Sequence, residues 1–249
     1  VTTGPTGIVV ESAGAINARG AALTPVSATQ AGDTVTLENE AVRAVFKTDG
    51  ALASLYHKAT RREALAADAR ANQFVMFDDD PNDWEAWDVD VFHLEKRVNV
   101  AGATAARVVE HGPLRAAIEF TYQLSARSTL RQIVSLDAAS AQLAFATDVD
   151  WHEDKKFLKV EFPLAVRSPE ATYDVQFGHL RRPTHFNTSY DVARFEVCAH
   201  KWGDLSETGF GVALLNDCKY GYATHGNVMR LSLLRSPKSP DQTADMGAH

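Results

Sequence analysis

Apolar residues recur at every second position along this sequence, in one segment after another. Leu114, Ala116, Ile118, Phe120, Tyr122 and Leu124 form one such run, after a His111-Gly112-Pro113 turn. Leu143, Phe145, Thr147, Val149 and Trp151 form another, and Leu158, Val160 and Phe162 a third. A period of two places the apolar side chains on one face of a β-strand. Val42, Ala44 and Phe46 alternate with Arg43, Val45 and Lys47; the tight-turn dipeptide Asp49-Gly50 follows, and then Leu52, Ser54 and Tyr56 alternate again. Residues 41–57 therefore read as a β-hairpin. Segments 194–199, 210–215 and 228–234 are also strand-like, and the best helical stretch, TRREALAADARA at 60–71, is short. Many short strands without a long amphipathic helix predict an all-β chain. They point to a large antiparallel β-sandwich rather than βαβ units.

Length and charge narrow the partners. The 249 residues suffice for one large domain or two small ones. Residues 1–33, rich in Ala, Gly, Thr and Ser and without a period, read as a linker or a peripheral first strand, and 34–249 as the sandwich domain. The net charge of -7 argues against a nucleic-acid partner, which calls for a basic face. No apolar run approaches the roughly 18 residues of a membrane span. The N-terminus VTTGPTGIVVES has no secretory leader pattern and no initiator Met, and reads as a cut or processed start. Cys198 and Cys218 fit no zinc spacing and are too few for a disulfide scaffold. Free thiols in a reducing compartment are the preferred reading over a single bridge.

The most unusual segment runs from Asp78 to Asp90, where seven of thirteen residues are acidic and two, Trp84 and Trp87, are tryptophans. Carboxylates accept from sugar hydroxyls, and aromatic faces stack on the C–H face of a pyranose. A solvated acidic loop is the alternative. Asp78, Asp80 and Asn82 match the first ligand positions of a calcium loop. Asp83 then stands where Gly is needed and Val89 where the bidentate Glu belongs. Asp150 and His152, two apart on a strand, share a face, but a lone pair is a weak metal signal beside Lys155 and Lys156. Residues 178–189, GHLRRPTHFNTS, gather Arg181, Arg182, His179 and His185; Pro183 predicts an irregular loop there. An arginine in it could fork onto sugar hydroxyls or a carboxylate, or tie loop carbonyls together. The turn Asn216–Tyr222 reads as structural, with both tyrosines packing over it. Nucleophile elbows, Walker loops and dinucleotide fingerprints do not occur.

The runs LENEAVRAVFKTDGALASLYHK, PNDWEAWDVD, EATYDVQFGHLRRPTHFNTSYDVARFEVCAHKWGDLSE and GFGVALLNDCKYGYATHGNVMRLSLLRSP resemble the C-terminal part of glycoside hydrolase family 38 α-mannosidases, most of all the cytosolic and bacterial branch. The likeness runs from about Thr34 to the end. It implies a β-region of galactose-mutarotase-like super-sandwich type, placed after an N-terminal catalytic domain and a helical bundle of the same enzyme. It also implies a retaining exo-α-mannosidase, cytoplasmic, with a carboxylate nucleophile and a catalytic zinc. By the same resemblance the nucleophile and the zinc ligands belong to the other domains, so neither catalytic residues nor a cofactor are assigned to this chain. The motif at Asp245-Met246-Gly247-Ala248-His249 normally continues into another strand, which implies an open edge. Motif order matches Trp87 with Asp88 to the aromatic position that meets the sugar, and Arg181 or Arg182 to the arginine position. The resemblance implies that the two segments lie near each other. The partners implied are the catalytic and helical domains and an α-mannoside, with a homo-oligomer left open. A stand-alone carbohydrate-binding module using Trp84 and Trp87, and an aldose-epimerase-like enzyme, are the competing readings.

Overall fold

A computed structural model describes residues 2–3, 9–11, 14–16 and 24–238 of the protein. In chain order the strands are β1 (Thr2–Thr3), β2 (Val9–Glu11), β3 (Gly14–Ile16), β4 (Ser27–Ala31), β5 (Thr34–Glu38), β6 (Val42–Lys47), β7 (Leu52–His57), β8 (Arg62–Glu63), β9 (Gln73–Asp78), β10 (Arg97–Asn99), β11 (Ala105–His111), β12 (Arg115–Gln123), β13 (Thr129–Asp137), β14 (Leu143–Asp150), β15 (Lys156–Pro163), β16 (Glu170–Val175), β17 (Gly178–Pro183), β18 (Val197–Cys198), β19 (Trp202–Glu207), β20 (Phe210–Leu215), β21 (Gly221–His225) and β22 (Val228–Arg235). A 3-10 turn at Val91–Glu95 and one helical turn, α1 (Ser189–Val192), are the helical pieces among the described residues. The chain is all-β and its described pairings are antiparallel. The motif ending at His249 lies outside the described residues, as does most of 1–23.

The chain divides into two compact units. The first draws on Val1–Glu63, Gly102–Tyr122 and Leu130–Val149. It holds the sheet β4-β5-β6-β7-β8 and the sheet β11-β12-β13-β14. The predicted hairpin is β6 and β7, with Gly50 at φ +85° in its turn. The inward side chains of β6, Val42, Ala44 and Phe46, are buried while Arg43 and Lys47 are exposed. Phe46 meets Phe120 of β12 at 5.7 Å between ring centres, so this core lies between the two sheets. Burial of a side chain this size contributes about 2–3 kcal/mol.

The second unit draws on Ala64–Ala101, Gln123–Thr129 and Asp150–His249. Its six-stranded sheet runs β10-β9-β15-β22-β21-β18 and its four-stranded sheet β17-β16-β19-β20. Tyr173 of β16 meets Tyr222 of β21 edge-on at 6.0 Å, and its hydroxyl donates to Thr224 Oγ1 at 2.8 Å. Strand β15, between β9 and β22, is buried on both faces from Phe157 to Glu161. Lys159 and Glu161 therefore lie inside. A register shift at Leu158/Lys159 lets Ser232 oppose Lys159 and Arg230 oppose Glu161. The second face of this strand is thus polar, covered, and built from charges that meet.

Two expectations are corrected. Residues 60–71 are not helical: they form β8, turns, and a bridge from Leu65 to Leu164. Helix propensity is a weak prior in a short segment. Ala64 and Leu65 are buried, and Ala66 N–H and Ala64 C=O are committed to Pro163 and Ala165. Residues 178–183 are not an irregular loop but the edge strand β17. Pro183 sits at its last position, opposite Glu170, where a missing N–H costs no ladder bond. The chain is irregular only after it.

Candidate functional site

The acidic loop follows β9, and one arginine staples it down. Arg235, at the end of β22, donates from Nε to Asp79 Oδ2 at 2.7 Å and from Nη2 to Asp79 Oδ1 at 3.1 Å. The same Nη2 reaches the carbonyls of Glu85 at 3.0 Å and Asp88 at 2.7 Å. Burial pushes the Asp79 carboxyl up, and the Arg235 fork opposes that. Lys155 adds a second tie, to Asp80 Oδ1 at 2.6 Å and to buried Glu85 Oε1 at 2.9 Å. Lys156 holds Asp78. The hydrogen bonds to these carboxylates hold the Lys155 ammonium well above the ordinary lysine range. The loop's inner carboxylates are thus spent on cations of the same unit, which the calcium reading did not foresee. Among the described residues no group of three His, Cys, Asp or Glu is arranged to hold a metal. The zinc that the resemblance implies finds no donor set among the described residues.

What the staple leaves outside is aromatic. Trp84 takes φ +58° and is 77% exposed; Trp87 is 89% exposed. Trp87 N–H and Asp88 N–H both donate to Trp84 C=O, at 2.7 and 3.1 Å, closing a tight turn. The Asp88 carboxylate turns back onto Val89 N–H at 2.8 Å. Beneath the loop a cavity of about 430 Å³ is lined by Asp78, Asp90, Phe92, His93 and Lys96 among others. Phe92, more than half exposed, stands at it.

His93, one of the residues lining the cavity, leads to the buried charges of β15. Lys159, fully buried, contacts Glu196 and donates to His93 Nε2 at 3.0 Å. Its ammonium lies over the rings of Phe157 and Phe77, at 4.3 and 5.1 Å. Burial pushes this ammonium well below the ordinary lysine range. His93 Nδ1 lies 2.8 Å from Asp90 C=O, an acceptor only, so Nδ1 carries the proton and Nε2 accepts from Lys159. Burial, with the Lys159 charge beside it, lowers His93 to about 4. None of Lys159, Glu196, His93 or Arg235 was singled out from the sequence. The signal was present in FLKVEF, where Lys159 and Glu161 interrupt an apolar run, but a half-exposed strand gives the same pattern.

Arg181 and Arg182 are neighbours on β17 and so point to opposite faces. Arg181 is largely exposed, its Nη1 3.9 Å from Glu170 Oε2. Arg182, opposite Ala171, turns toward the Tyr173 side, with a buried Nε that has no hydrogen-bond partner among the described residues. Trp87 and Asp88 depend on the six-stranded sheet and the arginines on the four-stranded one. No described contact joins the two pairs. Asp150 and His152 do meet, at 2.8 Å, as an exposed surface pair. Both cysteines are free and exposed. Tyr222 is buried and Tyr220 half-exposed, so only one tyrosine closes the 216–222 turn.

The chain is antiparallel and all-β and presents exposed tryptophans on a braced acidic loop. Residues 37–243 match the profile of the glycosyl hydrolases family 38 C-terminal domain, and the chain belongs to that family. It is 54% identical over 227 residues to alpha-mannosidase 2C1 of Homo sapiens, covering 90% of this chain and 22% of that protein. It is 43% identical over 231 residues to alpha-mannosidase G of Dictyostelium discoideum, covering 91% and 21%. The chain thus spans about a fifth of the length of these curated relatives. In structure it is similar to an alpha-mannosidase from Enterococcus faecalis, with a TM-score of 0.68 and 16% identity, covering 80% of this chain and 25% of that one.

Proposed function

We propose that this chain is the β-region of a retaining exo-α-mannosidase and that it completes the sugar pocket of the catalytic domain. The observation that carries the reading is Trp87, 89% exposed at the tip of a loop that Arg235 braces through Asp79 and two carbonyls. An aromatic carried on a braced backbone offers a stacking face whose loop need not be ordered on binding. Asp88 beside it can accept from hydroxyls, and Arg181, the exposed member of its pair, is free to reach outward; Arg182 is the inner member. On this reading residues 34–249 form one super-sandwich domain of galactose-mutarotase-like type. The zinc and the nucleophile reside in the catalytic domain, the partners are the enzyme's own catalytic and helical domains, and the substrate is an α-mannoside. Two exposed free thiols fit a reducing, cytoplasmic compartment.

In the complete enzyme, Trp87→Ala lowers kcat/KM for an α-mannoside roughly tenfold, the loss of one stacking contact. Its melting temperature stays put, because the side chain is in water. An unchanged kcat/KM removes Trp87 from the pocket. A second reading, a free mannose-binding module, draws on Trp84 being exposed beside Trp87. Mannose binding by the 249-residue chain alone, lost in Trp84→Ala, would favour it.

A further inference from the structure

The covered face of the six-stranded sheet carries a second charged spot, apart from the acidic loop and from Trp87. Arg97, at the start of β10, donates from Nη2 to Glu161 Oε2 at 2.6 Å. Arg230, in β22, donates from Nε to Glu161 Oε1 at 2.5 Å. The Glu161 side chain is 6% exposed, and the Arg230 side chain 19%. A guanidinium has five N–H donors. Each of these two spends one on Glu161, and no other acceptor is described for either. Most of their donors are therefore uncommitted, although Arg230 is largely withdrawn from bulk water.

Those arginines line a partly open cavity of about 170 Å³ together with His225 and the apolar side chains of Phe77, Leu94, Phe186 and Phe195. The His225 ring lies flat on Phe186, 4.1 Å between centres and 16° between planes, so the imidazole is fixed. Two guanidinium charges face one carboxylate, a local excess of one positive charge. The whole chain carries -7, so this excess is not a by-product of composition. The cavity is larger than a water site needs and too small for an oligosaccharide.

We propose that this cavity binds a small tetrahedral oxyanion of the phosphate type. The spare forks of Arg97 and Arg230 supply paired N–H donors, the geometry that oxyanions match best. The His225 ring adds a single donor. Glu161 holds both arginines in place and leaves the site one net positive charge.

The test is made on the complete enzyme in 150 mM KCl, where unspecific attraction is largely screened. Inorganic phosphate is titrated, with chloride at matched ionic strength as the control, while ³¹P line width and melting temperature are followed. Saturable broadening and a rise in melting temperature with phosphate are expected. Arg97→Gln weakens binding at least tenfold, and Arg97→Lys, which keeps the charge but not the fork, falls between. Arg97 is partly exposed, so both variants should fold. A hexose phosphate serves as a further probe: equal binding assigns the site to phosphate groups in general, and exclusion assigns it to the free ion. Identical behaviour of phosphate and chloride, or a parent-like affinity of Arg97→Gln, would overturn the assignment.

Discussion

His93 is the residue whose protonation is most tightly constrained by its neighbours. Its Nδ1–H is donated to Asp90 C=O, and its Nε2 accepts from the buried Lys159. A second proton on Nε2 would face an ammonium in a space ringed by Phe77, Phe157 and Phe195. Burial, followed by the Lys159 charge, thus lowers its pKa from 6.5 to about 4. A lowered folded-state pKa means that the unfolded chain takes the proton first as the pH falls. The stability this neutral histidine contributes is complete above about pH 6.5 and is lost as the pH drops toward about 4. Between pH 7 and pH 5 the loss is about 2 kcal/mol by linkage. Urea unfolding of the parent and of His93→Gln at both values checks this. The parent should lose about 2 kcal/mol more than the variant over that interval; equal slopes would show that His93 is protonated freely in the fold. The sequence could not disclose this group. Nothing local marks His93 in VFHLE; only the return of β15 puts Lys159 against it. Trp84, Trp87 and Asp88 were legible because composition alone made their loop unusual. Their support, Arg235, lies 147 residues beyond Asp88.

At the scale of elements, period two and turn dipeptides carried the reading. The hairpin at 41–57 forms β6 and β7 around Asp49-Gly50, and the alternating runs at 114–124 and 143–151 form β12 and β14. The two misreadings have different causes. At 60–71 an alanine-rich propensity yielded to long-range pairing with Leu164, and at 178–183 a proline was placed at a strand's end. A distant partner decided the first, and hairpin pairing with the neighbouring β16 the second. The turn glycine gives a test of the hairpin itself. Gly50 has φ +85°, and a Cβ there would stand 1.8 Å from the Tyr122 hydroxyl. Gly50→Ala therefore suffers backbone strain and a clash inside the core, on the order of 3 kcal/mol together. Gly32, in the β4–β5 turn, has φ +59° and nothing within 4 Å of the same added atom. Gly32→Ala should cost about 1 kcal/mol from backbone strain alone. Urea denaturation separates them, and equal costs would mean that the Tyr122 side chain moves aside without penalty.

At the scale of the whole molecule, the buried charges and the exposed tryptophans have different tasks. Asp79, Lys159 and Glu161 are withdrawn from water, held by Arg235, by Glu196 and by Arg97 with Arg230, and these ties fix geometry. Such networks are a weak source of net stability and are costly to break. The groups left outside are aromatic faces and single polar side chains, which suit binding. Retaining hydrolysis needs two carboxyl groups roughly 5–5.5 Å apart across the scissile bond, one as nucleophile and one as acid/base. Four of the seven carboxylates of the acidic loop, Asp78, Asp79, Asp80 and Glu85, are each neutralised by an arginine or a lysine, and Asp88 and Asp90 accept from backbone N–H groups. A carboxylate held by a cation is a poor general acid at neutral pH. The 249-residue chain by itself should therefore release no phenol from an aryl α-mannoside above a heat-treated control. Adding back a catalytic domain of the same enzyme should restore turnover, with its KM dependent on Trp87. Hydrolysis by the chain alone would show that some of these carboxylates exchange their cations for substrate, and would move the active centre into the acidic loop.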